Sequence, residues 1–292
     1  MTTSAPVQPV PNSSGTTRPR ARAPNNACDS HIHIYDPRFP MGWPNLRAVE
    51  NASVAEYKRL QERNGTTRAI VVQPAAYGTD NSVTLDALAQ LGLENARGIA
   101  VVHPTVTDTE LLAMNKGGIR GLRFTQHERR TAVTTAAMIE PLAHRAHRLG
   151  WHIQLHLRAE QIVEMAGLIE RLPGTIVFDH MGRMPQPEGI HHPAFNLLRR
   201  FLDTGRFWVK LSGPYLDTQV GAPRYSDIAP VGRALAEHAP QRCVWGSDWP
   251  HPTEPNVKPD DAVLFDLLSE WSIDETVRHG ILVRNPAILY SF

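Results

Sequence analysis

From about residue 26 onward, short runs of apolar and β-branched residues alternate with longer stretches whose apolar positions recur every three to four residues. The short runs lie at 27–34, 69–73, 98–103, 118–124, 151–157, 175–180, 208–213 and 243–248, and they predict eight strands. The intervening stretches at 53–64, 81–91, 107–114, 136–149, 159–171, 192–204 and 229–238 have the helical period, and one more, 260–271, follows the last run. Near-continuous apolar strands separated by helices indicate a parallel sheet covered on both faces. Eight such units in succession favour closure into a (β/α)8 barrel, the TIM-barrel architecture of the α/β class, over an open doubly wound sheet. The open sheet would want a glycine-rich phosphate loop after an early strand, and neither GxGxxG nor GxxxxGK[ST] follows the first or second run.

Residues 1–25 break this alternation. They are rich in Pro, Ser, Thr and Asn and offer little apolar surface to offset the entropy of ordering, so a flexible or extended N-terminal arm is expected ahead of a single barrel at 26–292. Such an arm could instead cover a neighbouring subunit, which leaves a homo-oligomer open. The 292 residues suit one barrel, and 41% hydrophobic with 20% charged residues is ordinary globular composition. A formal net charge of +1 argues against a nucleic-acid partner. No apolar run approaches the ~20 residues that span a bilayer, and the first residues lack the apolar core of a secretory signal. The two cysteines, Cys28 and Cys243, make no disulfide framework and read as reduced core residues, so a cytoplasmic chain is expected.

In a barrel of this kind the chemistry sits at the C-terminal ends of the strands. The first run ends Asp29-Ser30-His31-Ile32-His33, and the two-residue period of a strand places both imidazoles on one face. The fifth ends at His156, the sixth at His180 and the eighth at Asp248. Imidazoles and a carboxylate converging on one mouth would be costly to bury alone, and a bound cation would satisfy them. Basic residues collect at the same end: Arg123 after the fourth run, Arg129 and Arg130 in the following loop, Arg183 after the sixth and Lys210 within the seventh. In a nearly neutral chain they point to a small anionic substrate, because guanidinium groups bind carboxylate, sulfonate or phosphate bidentately. Gln73 and Tyr215 are further candidates for substrate contact.

The HIH of the first strand, HMGR at 180–183 and WGSDWPHP at 245–252 resemble the amidohydrolase superfamily. VVQPAAYGTDNSVTLDA at 71–87, GGIRGLRF at 117–124 and LVRNPAILY at 282–290 resemble, more narrowly, its branch of 2-pyrone-4,6-dicarboxylate, muconolactone and sugar-acid lactonases. The resemblance runs from about Cys28 to the C-terminus and implies a (β/α)8 barrel that hydrolyses a lactone ester. One departure matters. Pyrone-dicarboxylate lactonases carry a tyrosine where this chain has His156, and that histidine matches the ligand of metal-containing relatives. The resemblance therefore implies a single divalent cation, best suited to Zn2+, on His31, His33, His156 and Asp248.

The arginine that the branch carries after the seventh strand is missing, and Tyr215 is expected to fill its space. This shifts the expected substrate from pyrone dicarboxylate toward another anionic lactone, such as a carboxylated or sulfonated muconolactone from aromatic breakdown. In that reading Asp248 moves the proton, and His180 orients or stabilises the oxyanion. A lactone isomerase or a metal-dependent decarboxylase would use much the same residues.

Overall fold

A computed structural model describes residues 8–42, 46, 48–128 and 132–292. Eight parallel strands follow one another around the sheet in chain order: β1 (Cys28–Ile32), β2 (Arg68–Val72), β3 (Ala96–Ala100), β4 (Ile119–Thr125), β5 (His152–His156), β6 (Ile176–Phe178), β7 (Phe207–Leu211) and β8 (Cys243–Trp245). The ring closes just beyond the end of β8. There the Asp248 N–H donates to the His31 carbonyl at 2.8 Å, and the His33 N–H donates to the Trp249 carbonyl at 2.8 Å. The buried Asp29 carboxylate strengthens this seam by accepting from the Ser247 N–H at 2.8 Å. This is the (β/α)8 barrel that the alternation predicts.

The helices are α1 (Val54–Asn64), α2 (Ser82–Leu91), α3 (Asp108–Lys116), α4 (Ala136–Arg148), α5 (Ala159–Glu164), α6 (Ala166–Arg171), α7 (Pro193–Asp203), α8 (Ala229–His238), α9 (Asp261–Trp271), α10 (Glu275–His279) and α11 (Asn285–Tyr290). Local sequence sets several of their ends. Ser53 and Glu56 form a reciprocal capping box on α1, and Gly65, at φ 80°, ends it in the left-handed conformation that glycine tolerates best. The predicted helix 159–171 is two helices, divided at Met165. Beyond the predicted elements, α10 and α11 are joined by a wide helical turn, Gly280–Arg284.

Two apolar clusters hold the barrel. The larger lies between strands and helices. The smaller joins Cys28, Ile70, Val72, Ile99, Val177, Trp208 and Val244 to Leu289 and Tyr290 of α11. Residues from six strands can meet each other only inside the ring, so α11 plugs its base. Both cysteines are buried and unpaired.

Residues 8–25 form neither helix nor strand, yet they lie against the barrel through specific bonds. The Trp249 indole donates to the Pro11 carbonyl at 2.9 Å. The Arg63 guanidinium donates to the Thr17 carbonyl at 2.8 Å, and Asp266 accepts from the Arg20 and Ala21 N–H groups. Among the described residues no helix is long and apolar enough to cross a membrane.

Candidate active site

The ends of β1, β6 and β8 carry a compact set of donors. His31 Nε2 and His33 Nε2 lie 3.3 Å apart, and each is 3.5 Å from Asp248 Oδ1. The ligand-type atoms of these three residues fall within 4.8 Å of one another. The second nitrogen of His33, Nδ1, is 2.8 Å from the Val72 carbonyl. A carbonyl only accepts, so Nδ1 carries the hydrogen and Nε2 presents a lone pair. His31 Nδ1 stands between the Lys210 ammonium at 3.3 Å, which only donates, and Asp179 Oδ1 at 3.5 Å, which only accepts, so either ring nitrogen can carry the hydrogen. Burial, reinforced by the Lys210 cation, drives the His31 pKa well below its ordinary value and keeps the ring neutral. The His33 lone pair, His31 Nε2 and a carboxylate oxygen thus face one another at 3.3–3.5 Å. Two imidazole nitrogens and a carboxylate oxygen converging on one point are the donor types of a divalent metal site, so the set fits such an ion.

The backbone is bent to make this set. Asp248, His180 and Arg183 have φ values of 65°, 49° and 52°, a left-handed region that costs non-glycine residues about 1–3 kcal/mol each. Gly246 permits the approach of β8 to β1, because a Cβ there would lie 2.8 Å from both the nitrogen and the Cβ of His31.

His180 closes the set from β6. Its Nδ1 is 2.9 Å from the Ser212 hydroxyl, and its Nε2 is 4.0 Å from Asp248 Oδ1. Asp179, its neighbour, is wholly buried. It accepts from Arg123 Nε at 2.9 Å and Gln154 Nε2 at 3.2 Å, and lies 3.7 Å from Lys210 Nζ. Burial alone would raise the Asp179 carboxyl, but Arg123 and Lys210 hold it well below the usual carboxylate range. Burial in turn pulls the Lys210 ammonium down to about 8, against the attraction of Asp179.

The structure does not bring His156 into the metal-type set. Its Nδ1 is 3.1 Å from Arg123 Nη2 and its Nε2 is 3.3 Å from Arg183 Nη1, while its ring stacks on His127 at 4.5 Å between centroids. A cation on that ring would meet two guanidinium groups, so of the four expected ligands His31, His33 and Asp248 are the ones brought together, beside a second group of ligand atoms from His31, Asp179 and His180. Burial, with Arg123, drives the His156 pKa well below its ordinary value.

The candidate substrate contacts divide in the same way. Arg123 is buried against Asp179, and Arg183 is held by Asp217 through bonds of 2.7 and 3.0 Å, a partner the sequence reading did not foresee. Lys210 has no exposed side-chain surface and lies 3.3 Å from His31 Nδ1, beneath the donor set and away from the rim. Gln73 uses its amide on the Asp80 carbonyl at 2.7 Å and on the Thr84 hydroxyl at 2.6 Å, holding a loop in place, although it shares a narrow cavity with Arg123 and Thr134. The Tyr215 hydroxyl donates to Asp248 Oδ2 at 2.6 Å. Burial and the adjacent Asp248 carboxylate push its pKa well above the ordinary value, so it keeps its hydrogen. Arg129 and Arg130 lie outside the described residues.

Sequence reasoning missed Asp179, Ser212, Asp217, His251 and Asp261. Asp179 and His251 stand inside or beside motifs quoted for other residues, and that adjacency was the available signal.

The family described as amidohydrolase matches residues 28–292. A 4-sulfomuconolactone hydrolase of Rhizobium radiobacter is 34% identical over 286 residues, covering 93% of this chain and 94% of that protein. A 2-pyrone-4,6-dicarboxylate hydrolase of Comamonas testosteroni is 32% identical over 94% of this chain and 93% of its own. A D-galactarolactone isomerase of Agrobacterium fabrum is 30% identical over 94% of each. A closed barrel with its histidines and aspartate at the strand ends, matched by the family over nearly its whole length, places the chain in the amidohydrolase family.

Proposed function

We propose that this chain is a metal-dependent hydrolase that opens an anionic lactone, with a carboxylated or sulfonated muconolactone as its substrate class and Zn2+ as its ion. The observation that carries the reading is the convergence of His31 Nε2, His33 Nε2 and Asp248 Oδ1 at 3.3–3.5 Å from one another. Relatives named for sulfomuconolactone and pyrone-dicarboxylate hydrolysis support the substrate class. When bound by those three residues, the ion would polarise the lactone carbonyl and lower the pKa of a water molecule.

The chain's own groups do the remaining work. Asp248 Oδ1 takes the proton from the attacking water and returns it to the ring oxygen as the ester bond breaks. His180, fixed through Nδ1 by Ser212, directs Nε2 toward the oxygen that gains charge. Arg123 and Arg183 approach opposite nitrogens of His156, yet a neutral imidazole accepts only one hydrogen bond. One guanidinium N–H therefore lacks an acceptor there, and an acidic substituent of the lactone supplies it. This contact sets the carbonyl against the nucleophile.

The test is incubation of zinc-loaded protein with carboxylated and sulfonated muconolactones at mildly alkaline pH, followed by product analysis. The expected product is the ring-opened diacid, with turnover abolished in Asp248→Asn. A lactone of shifted ring position would favour an isomerase, as the galactarolactone relative is named. Release of carbon dioxide, unaltered lactone or normal turnover by Asp248→Asn would each refute the reading.

A further inference from the structure

Behind Asp248 runs a buried line of polar groups that the proposed hydrolysis leaves unused. Tyr215 donates to Asp248 Oδ2 at 2.6 Å, His251 Nδ1 lies 3.0 Å from the same phenol oxygen, and His251 Nε2 lies 3.1 Å from Asp261 Oδ2. The side chains of His251 and Asp261 have no exposed surface. His251 is brought there by a tight turn, in which its N–H donates to the Asp248 carbonyl at 2.8 Å and its φ is 55°. Asp261 opens α9, where its backbone N–H donates to the Ser13 hydroxyl at 3.2 Å.

The hydrogens in this line can be counted. A phenol has one hydrogen, and here it goes to Asp248, so the phenol oxygen accepts from His251 Nδ1. The Asp261 carboxylate can accept from Nε2, so His251 fills both gaps only when each of its nitrogens carries a hydrogen. The direction of donation is set at the Asp248 end, where the carboxylate only accepts and the phenol supplies the hydrogen. Tyr215 has no hydrogen left for an acidic group of a substrate, which removes the donor role expected where the arginine is missing.

We propose that Tyr215 is a positioning residue for Asp248, itself held in place by His251 and Asp261. By occupying Oδ2 it fixes the carboxylate so that Oδ1 alone faces His31 and His33 at 3.5 Å. A carboxylate without that tether can swing and exchange its oxygens, which blurs both the donor set and the direction in which it takes a proton. The proposal rests on the reading of Asp248 as ligand and proton acceptor.

The experiment compares Tyr215→Phe, Asp261→Asn and the double variant in the full chain, with Asp248→Asn as reference. Two quantities are read: muconolactone kinetics of the zinc-loaded protein, and Zn2+ affinity measured against a chromophoric chelator. Partners behind metal ligands change affinity or activity by about 10–100-fold. Tyr215→Phe is therefore expected to lower kcat by about that factor with KM held within about twofold, and to weaken Zn2+ binding about tenfold. Asp261→Asn should lower kcat in the same direction, and the double variant should be no worse than Tyr215→Phe, because Asp261 acts only through the phenol.

A rise in KM at constant kcat in Tyr215→Phe would make the phenol a substrate contact and overturn the proposal. Losses that multiply in the double variant, or unchanged kinetics and Zn2+ affinity in Tyr215→Phe, would overturn it too. If Asp261→Asn does not fold, Tyr215→Phe decides through its kcat and KM and its Zn2+ affinity. Normal turnover by Asp248→Asn would sink the hydrolase reading itself. An inactive Asp248→Asn beside a fully active Tyr215→Phe would sink only the positioning role.

Discussion

Replacing Asp179 with asparagine removes one negative charge from a wholly buried position and leaves the shape of the side chain almost unchanged. Two cations depend on that charge: Arg123, 2.9 Å away with 7% of its side chain exposed, and Lys210, 3.7 Å away with none. At an effective dielectric constant near 20, unit charges at such distances attract by about 4–6 kcal/mol. Much of this is offset by the desolvation of the ions, but that cost remains when one partner is removed. Breaking a buried pair in this way costs about 3–5 kcal/mol. For a domain of this size that corresponds to a fall in Tm of roughly 10 °C. The negative charge beside His31 Nδ1 is lost as well, so Zn2+ affinity should fall about 10–100-fold. Denaturant unfolding measures the first effect and chelator competition the second. Adding Lys210→Met to Asp179→Asn should recover part of the lost stability, because the orphaned ammonium is gone. If Asp179→Asn unfolds within about 1 kcal/mol of the parent chain, the cost typical of surface pairs, Asp179 is not the counter-ion that holds this barrel interior together.

Two further outcomes follow from the geometry. Gly246→Ala forces a Cβ to within 2.8 Å of His31, so it should reduce kcat and Zn2+ affinity together, and a variant with wild-type values would show that β1 and β8 can separate freely. His152, fully buried with both ring nitrogens unpaired, is pushed by burial from 6.5 down to about 3. The unfolded chain therefore takes up a proton below about pH 6.5 that the folded chain refuses, and stability should be lost as the pH falls through that window. His152→Asn should flatten the slope of unfolding free energy against pH between about 6 and 4 by about 1.4 kcal/mol per pH unit. An unchanged slope would mean that His152 is protonated in the fold.

All eight strands fall where the apolar runs predict them, since a strand buried on both faces needs such a run. The break at Met165 was hidden because the apolar period of AEQIVEMAGLIER continues through it. The base plug was hidden as well: α11 owes its place to the apolar interior it closes, and no local pattern announces that. His31, His33 and Asp248 were legible because strand period and strand-end position converge on one mouth. The orientation of the His156 ring was not, because it depends on Arg123 and Arg183 arriving from other elements. The depth of Lys210 was equally invisible. A cation reads as surface-facing until a buried carboxylate such as Asp179 is known to face it. The line from Tyr215 through His251 to Asp261 joins residues 36 and 10 positions apart, and only the fold makes them neighbours.

The most direct measurement is anomalous diffraction at the zinc edge from crystals of the full chain equilibrated with Zn2+. A single strong peak bounded by His31, His33 and Asp248, lost in His33→Ala, is the predicted result. A peak lodged against His156 between Arg123 and Arg183, or no peak in the mouth of the barrel, would contradict it.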